Sequence, residues 1–249
     1  MKMIALDLDG TLLRTDKSIS ENTKKCLEKC RARGIKVIYA TGRGGSAEAR
    51  APAHMFDGRA LMNGAIAYDG SEEVYRRLVP VESARELLMA CDRRGLKTTA
   101  ELCGMHYSNF DVSAEWSDIR NFEIVDFAEH GVDAEKLYAI VERDADVEFI
   151  ERHMPPGLYL TVSRDGLAQI MHTEATKLQA IRALAARWGI EMSEVVAFGD
   201  DLNDVNMLRG CGTGVAMANA LDEVKLAADE VCGGNDEDGV AKWIEANMQ

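Results

Sequence analysis

The sequence lacks the features that would place the protein in a membrane or outside the cell. No apolar run is long enough to cross a bilayer, and the first residues have neither the basic start nor the long apolar stretch of a signal peptide. None of the six cysteines forms a Cys-x-x-Cys pair, and Cys26 and Cys30 fall at helical spacing, which indicates core positions. We therefore expect reduced thiols and a cytoplasmic location.

Positive charge is also scarce, since 29 lysines and arginines face 42 aspartates and glutamates, a net charge of −13. This balance argues against a nucleic acid or an anionic membrane as partner, and an anionic small molecule would need a local cation to bind. Low-complexity segments and internal repeats are lacking too, so we expect an ordered protein with one core and an insert. We expect a monomer or a small homo-oligomer.

Two carboxylates stand one residue apart near the start of the chain. The apolar run Ile4-Ala5-Leu6 predicts a strand buried on both faces, and Asp7 and Asp9 follow it, with Gly10 next. In parallel sheets ligands bind at the carboxyl ends of the strands, and Mg²⁺ is held by one or two carboxylates together with substrate phosphate. An Asp-rich turn that caps a helix is the alternative interpretation of the same stretch.

Strand and helix patterns alternate through the first third of the chain. The spacing predicts a helix from Ser20 to Arg33, a strand over 35–40 that ends in Thr41-Gly42-Arg43, and a weak helix over 45–55. A strand over 60–62 then leads to Asn63-Gly64 and to a hairpin that turns at Asp69-Gly70. Alternating strands and helices predict a parallel α/β sheet.

The pattern changes after about residue 81. A helix over 83–93 is followed by strand-like runs at 96–102, 105–108 and 122–127, and we interpret the ambiguous stretch 136–142 as a strand. A helix over 147–153 and strands over 159–163 and 168–171 complete this region. We expect an α+β insert at 82–170 between two core segments, 1–81 and 171–249.

The α/β pattern then returns with two further polar stretches. Thr176 and Gln179 have the spacing of a helix start, which places Lys177 in the first turn, where the helix dipole disfavours a cation. Because of that conflict we expect substitution of Lys177 to leave stability almost unchanged. A strand over 195–198 ends in an acidic stretch that contains Asp200 and Asp204, although aspartates are also ordinary at a helix start.

Taken together, these stretches resemble the haloacid dehalogenase superfamily, and within it the Cof-type, subclass IIB phosphatases. The resemblance covers both core segments, whereas over the insert it is one of length and pattern only. It implies a Rossmann-like, doubly wound parallel sheet with an inserted α+β cap domain of the C2B type. The matching residues are Asp7-Leu8-Asp9-Gly10-Thr11-Leu12, Ala40-Thr41-Gly42-Arg43, Asn63-Gly64-Ala65, Lys177, Gly199-Asp200-Asp201-Leu202-Asn203-Asp204, and a C-terminal segment around 214–220 and 238–241.

The resemblance also implies a mechanism, the hydrolysis of small phosphorylated metabolites such as sugar phosphates. Asp7 would be the nucleophile and Asp9 the general acid and base, while Thr41 and Lys177 would stabilise the phosphoryl group. Mg²⁺ would be bound by Asp7, the Asp9 carbonyl and Asp200, with support from Asp204 through water. The residues implied in substrate binding are Gly10, Gly42, Arg43, Asn63 and Asn203.

Two other functions fit the same residues. A phosphomutase would return the phosphoryl group to a bound sugar, and a non-catalytic phospho-acceptor module would use the carboxylates and Mg²⁺ without turnover. Asp9 argues against the second, because a general base beside the nucleophile shortens the life of an acyl phosphate. In the insert, His106 and Arg164 are candidate substrate contacts, although a solvated surface position is the favoured interpretation for each.

Overall fold

The computed structural model describes residues 1–117, 119–129, 131–163 and 166–248. The chain forms two compact units, one of Met1–Arg76 with the chain from Thr176 onward, and one of Arg77–Ala175. The second unit thus begins at residue 77, where the sequence pattern suggested 82, and ends at 175, where it suggested 170. No helix in the described part of the chain is long and apolar enough to span a bilayer.

The first segment of the core unit alternates strands with one long helix. The helix α1 begins after Ser20, whose side chain accepts a hydrogen bond from the Thr23 N–H, as the sequence predicts. A hairpin closes the segment, and its turn is Gly70-Ser71, one residue later than the sequence predicts, because Asp69 still pairs with Glu72. The elements are β1 (Met3–Leu6), α1 (Glu21–Ala32), β2 (Lys36–Ala40), β3 (Gly58–Leu61), β4 (Ile66–Asp69) and β5 (Glu72–Arg76).

The helix predicted over 45–55 is wrong. The structure has two short 3₁₀ segments there, Gly45–Ala47 and Ala53–Met55. The glycines at 44 and 45 and Pro52 explain the difference, because glycine disfavours helix nucleation and proline removes a hydrogen-bond donor.

The second unit contains a mixed six-stranded sheet and two helices. The strand order is β10-β11-β9-β6-β7-β8, and neighbours are antiparallel except for β7 with β8. The ambiguous stretch at 136 is a strand, as interpreted. The elements are α2 (Val81–Arg93), β6 (Thr98–Leu102), β7 (Met105–Ser108), β8 (Phe122–Ile124), β9 (Lys136–Ile140), α3 (Asp144–Arg152), β10 (Leu158–Val162) and β11 (Leu167–His172).

This unit has a hydrophobic core of its own. Leu87 and Leu88 of α2 and Ile150 of α3 pack with Leu137 of β9 and Ile170 of β11. Both helices therefore contribute to one apolar cluster with the sheet, which is the α+β arrangement that the change of pattern predicts.

The last segment completes the core unit. It contributes α4 (Lys177–Arg187), β12 (Val195–Gly199), α5 (Val205–Gly210), β13 (Thr213–Ala216), α6 (Asp222–Ala227), β14 (Glu230–Val231) and α7 (Gly239–Asn247). The eight-stranded sheet has the order β14-β13-β12-β1-β2-β3-β4-β5. The central strand β1 pairs in parallel with both β2 and β12, and all four of its residues are buried. The carboxyl ends of β3, β2, β1, β12 and β13 therefore lie along one edge.

Candidate active site

The edge formed by these strand ends carries the residues that the sequence singled out. Asp7 follows β1, Thr41 follows β2, Asn63 follows β3 and Asp200 follows β12. Each strand is held in register by parallel neighbours, so the polar residues emerge next to one another although they are far apart in sequence. The fold thereby brings charged residues from distant parts of the sequence to one edge of the sheet.

Lys177 lies between two carboxylates at this edge. Its Nζ donates to Asp7 Oδ1 and to Asp204 Oδ1, both at 2.6 Å. The side chain is 2% exposed although it is the first residue of α4. Two charge-assisted hydrogen bonds in a dry environment outweigh the unfavourable helix dipole, which falls off within one turn.

The expectation that Lys177 is unimportant for stability is therefore wrong. Burial lowers the pKa of the Lys177 ammonium, but the charges and hydrogen bonds of Asp204 and Asp7 outweigh burial and raise it overall. The ammonium stays charged, and its removal would leave two buried carboxylates without their cation. Removing one partner of a buried ion pair is strongly destabilising.

The start of α4 is placed by a close backbone approach. Thr176 caps the helix, since its side chain accepts from the Gln179 N–H at 3.3 Å. Gly64 has φ +94°, and a Cβ at this position would lie 2.2 Å from the Thr176 carbonyl oxygen. Only glycine combines this backbone angle with this contact, so Gly64 allows the Lys177 end of α4 to reach the sheet edge.

The Asp7 carboxyl group is destabilised in its charged form. Burial, together with the charges of Asp204 and Asp200, raises its pKa to about 8 against the opposing effect of Lys177. The second acidic residue, Asp200, has its pKa raised to about 6, mainly by burial. Such crowding of carboxylates has a cost unless further positive charge is present.

A divalent cation would supply that charge. The carboxylates of Asp7, Asp200 and Asp204 have oxygens that all lie within 4.8 Å of one another, and one ammonium balances only part of their charge. Hard carboxylate oxygens in a small cluster are the donors that Mg²⁺ prefers. The residues therefore fit the ion that the family resemblance implies.

Asp204 already uses both of its oxygens. Besides accepting from Lys177, it accepts from the backbone N–H groups of Asp200 and Asp201 at 2.9 and 3.1 Å, and it is completely buried. These bonds shape the acidic turn, whose last residues form the 3₁₀ segment Leu202–Asp204. The arrangement suits a residue that orients its neighbours better than one that binds a ligand directly.

The Asp9 carboxylate is held by two cations. Arg43 donates to both oxygens, to Oδ2 through Nε and to Oδ1 through Nη2 at 2.8 Å, and Lys17 donates to Oδ1 at 2.9 Å. The Arg43 hydrogen bond is the largest effect and lowers the pKa of Asp9 to about 2. In this arrangement Asp9 is ionised, so proton donation requires that these cations move to another partner.

The remaining candidate residues form a polar group beside the acidic cluster. Asn203 donates to Asn63 Oδ1 at 2.9 Å. Gly42 packs against the Asn63 side chain, since a Cβ at Gly42 would lie 3.0 Å from Asn63 Oδ1. Thr41 is buried, and its hydroxyl accepts from the Arg43 N–H at 3.1 Å. The structure thus brings the ends of β2, β3 and β12 together.

A comparison with known families and proteins fits this geometry. Residues 4–244 match the model of the haloacid dehalogenase-like hydrolases. The chain belongs to this family. The recognition of the family from the sequence motifs is therefore confirmed, and so is the fold class of a Rossmann-like core with an insert.

Two phosphatases of Bacillus subtilis match this haloacid dehalogenase-like hydrolase over nearly its full length. The 5-amino-6-(5-phospho-D-ribitylamino)uracil phosphatase YcsE is 31% identical, with 98% of this chain and 94% of the relative covered. Phosphatase YwpJ is 27% identical, with 98% and 99% covered. The solved structure of a subclass IIB sugar phosphatase has a TM-score of 0.86, 26% identity, and covers 100% of this chain and 99% of that one. These matches support an enzyme of the phosphatase type.

Sequence reasoning missed three residues that contact the site. Lys17 binds Asp9 and has a positive φ of 66°, which is uncommon for a residue with a side chain. Thr11 donates to Asp200 Oδ1 at 2.8 Å, and Asn219 donates to the Gly10 carbonyl oxygen at 2.8 Å. Thr11 and Asn219 stand inside the motifs that carry the family resemblance, but only the folded chain reveals what they contact.

His106 and Arg164 are the two candidate substrate contacts in the insert. The surface interpretation of His106 is wrong, because the side chain is buried and its Nδ1 is hydrogen-bonded to the Tyr138 hydroxyl at 2.9 Å. Burial lowers the pKa of His106, which favours the neutral imidazole. Arg164 lies outside the described residues.

Proposed function

We propose that this protein is a Mg²⁺-dependent phosphatase of small phosphorylated metabolites that acts through an aspartyl phosphate on Asp7. The observation that carries the proposal is the buried contact of Lys177 with Asp7 and Asp204, beside the Asp200 carboxylate. A nucleophilic carboxylate, a fixed cation and a cluster of metal-binding oxygens are the parts that phosphoryl transfer needs.

Asp7, the Asp9 carbonyl and Asp200 would hold Mg²⁺, which would supply the positive charge that a phosphate dianion needs in an acidic site. Asp204, whose oxygens are occupied by N–H donors, keeps Lys177 and the acidic turn in place. The hydroxyl of Thr41 and the amide of Asn203 are proposed to donate hydrogen bonds to the phosphoryl oxygens. Gly10, Gly42, Arg43 and Asn63 are proposed to line the substrate site.

The first half of the reaction transfers the phosphoryl group to the protein. An Asp7 oxygen attacks phosphorus, the ester P–O bond breaks, and the leaving alkoxide takes a proton from Asp9. The ion pairs of Asp9 with Arg43 and Lys17 must open before Asp9 can carry that proton. The incoming phosphate dianion offers both cations another anionic partner, so substrate entry frees the Asp9 carboxylate, which then takes up a proton from solvent.

The second half restores the Asp7 carboxylate and leaves Asp9 protonated, and Asp9 loses this proton to solvent when the product leaves. Asp9, now ionised, removes a proton from a water molecule, and the oxygen of this water attacks phosphorus. The bond between phosphorus and the Asp7 oxygen breaks, which releases inorganic phosphate and restores the Asp7 carboxylate. Lys177 stabilises the charge on the Asp7 oxygen in both halves.

The relatives suggest a class of substrate. The name of YcsE describes a phosphate on a ribityl chain, and the structural relative is a sugar phosphatase. Both names describe a phosphate ester on a polyhydroxylated carbon chain, so we propose a sugar or sugar-alcohol phosphate as the substrate. The unit Arg77–Ala175 is proposed to act as the cap that excludes water and selects the leaving group.

A panel of phosphorylated metabolites tests this function. Purified protein should release inorganic phosphate from sugar and sugar-alcohol phosphates with Mg²⁺, and a chelator should abolish the release. Equal rates with and without chelator would contradict the metal assignment. Formation of an isomeric sugar phosphate without stoichiometric inorganic phosphate would instead identify a phosphomutase.

A further inference from the structure

The turn that follows β13 contacts both loops that carry the acidic residues. The N–H of Leu221 donates to the Asp200 carbonyl oxygen at 3.1 Å. The side-chain amide of Asn219 donates to the Gly10 carbonyl oxygen at 2.8 Å. One short turn thus joins the loop after β1 to the loop after β12. The link to the loop after β1 is made by the side chain of Asn219.

The Gly10 peptide is packed directly against the Asp200 carboxylate. Gly10 has φ +81°, and a Cβ there would lie 2.2 Å from Asp200 Oδ2. The next residue, Thr11, donates its hydroxyl to Asp200 Oδ1 at 2.8 Å. A shift of the Gly10 peptide would therefore move the carbonyl of the preceding Asp9 and also disturb the Asp200 carboxylate.

Asn219 is itself held in a single orientation. Its Oδ1 accepts from the Asn235 N–H at 3.0 Å, so its amide nitrogen faces Gly10. The side chain of Asn235 in turn donates to the Leu13 carbonyl oxygen at 3.0 Å. Position 219 therefore uses a donor and an acceptor on one short side chain, and a carboxamide supplies both.

We propose that Asn219 is a positioning residue for the metal site, which it supports by fixing the Gly10 peptide against Asp200. The inference rests on the proposed function, since it presumes that Mg²⁺ binds Asp7, Asp200 and the Asp9 carbonyl. Hydrogen-bonding partners outside the ligand set of a metal typically change its affinity by about ten- to a hundredfold. Loss of the amide should therefore weaken Mg²⁺ binding by about tenfold or more.

Calorimetric titration of Mg²⁺ into the purified, substrate-free protein tests this inference. The test variant is Asn219→Ala, and the matched control is Asn247→Ala, which also removes an exposed amide bonded to a backbone carbonyl, that of Trp243. Asn235→Ala removes the bond to Leu13 but leaves the bond from Asn219 to Gly10. Only Asn219→Ala should bind Mg²⁺ about tenfold more weakly, while all three variants melt within a few degrees of one another in EDTA.

The possible outcomes separate the inference from the proposed function. If the wild-type protein binds no Mg²⁺, the proposed function fails, whatever the variants do. If the wild type binds and Asn219→Ala stays within about threefold of Asn247→Ala, the inference is overturned. Equal weakening in Asn235→Ala would likewise overturn the assignment to the Gly10 bond.

A second variant covers the case in which Asn219→Ala does not fold. Asn219→Asp keeps the size and the acceptor for the Asn235 N–H but loses the donor to Gly10. Its added negative charge would by itself favour Mg²⁺. Weaker binding in this variant therefore supports the inference, and equal or tighter binding overturns it.

Discussion

At the scale of single residues, the central contact is the one between the Lys177 ammonium and the carboxylates of Asp7 and Asp204. The cation is buried, and both of its partners are buried as well. Lys177 therefore has two roles. It stabilises charge in the proposed reaction, and it reduces the repulsion among the carboxylates in the resting protein.

We predict that Lys177→Met lowers both activity and stability. Loss of a charge-stabilising donor typically costs about a hundred- to a thousandfold in rate. Melting in EDTA should show a lower midpoint than the wild type, because the buried carboxyl groups of Asp7 and Asp204 lose the cation between them. A normal midpoint together with a rate loss below about tenfold would contradict the role of Lys177 in the site.

The pKa values of Asp200 and Asp7 predict how stability without metal depends on pH. Both pKa values are raised above the ordinary 3.8, that of Asp200 to about 6 and that of Asp7 to about 8. Between pH 3.8 and each of these folded pKa values, the native state binds more protons than the unfolded state. Stability is therefore lost as the pH rises through the folded pKa values. In EDTA, the midpoint of the wild type relative to Asp200→Asn should fall from pH 5 to pH 7. A difference that stays constant or rises would contradict the assignment of Asp200 to a partly buried, crowded carboxyl group.

Spacing along the sequence predicted the identity of the charged residues but not their partners. Asp7, Asp9 and Asp200 could be predicted because each follows a recognisable apolar run. The burial of Lys177 could not, because its local helix dipole points the other way and only a partner 170 residues distant reverses the balance. Lys17 was missed for a similar reason, since its contact with Asp9 depends on a left-handed backbone angle in a loop.

At the scale of elements, the site depends on how closely α4 approaches the sheet. Thr176 and Lys177 begin this helix, and Gly64 allows the approach because a Cβ would collide with the Thr176 carbonyl. The helix and the strands around it were predictable from hydrophobic periodicity. The close contact was not, because it joins a turn after β3 to a helix more than a hundred residues later.

We predict that Gly64→Ala impairs catalysis much more than Gly34→Ala does. Both glycines have a positive φ, +94° and +80°, so each substitution costs about 1–2 kcal/mol of backbone strain. No atom lies within 4 Å of a Cβ at Gly34, whereas at Gly64 the Thr176 carbonyl lies 2.2 Å away. Steady-state kinetics and melting of both variants measure the difference. Equal rates in the two variants would show that the position of α4 does not control the site.

At the scale of the whole molecule, the chain divides into a core unit and an inserted unit, each with its own apolar cluster. The change from alternating strands and helices to a run of strands predicted such an insert, because an α+β pattern cannot continue a parallel sheet. Its ends were harder to place, since neither boundary is marked by a proline- or glycine-rich linker. The negative net charge also affects substrate binding, because an anionic substrate then depends on the local cations at the strand ends.

The central claim is that Asp7 carries the phosphoryl group during turnover. The most direct test is mass spectrometry of the protein quenched during reaction with an aryl phosphate and Mg²⁺, using Asp9→Asn. This variant still accepts the phosphoryl group from a good leaving group but lacks the base for the second step, so the intermediate should accumulate. We expect one added phosphoryl group on the peptide that contains Asp7, and none when Asp7→Asn is combined with Asp9→Asn. A phosphoryl group on another peptide, or near-normal turnover in Asp7→Asn, would contradict it.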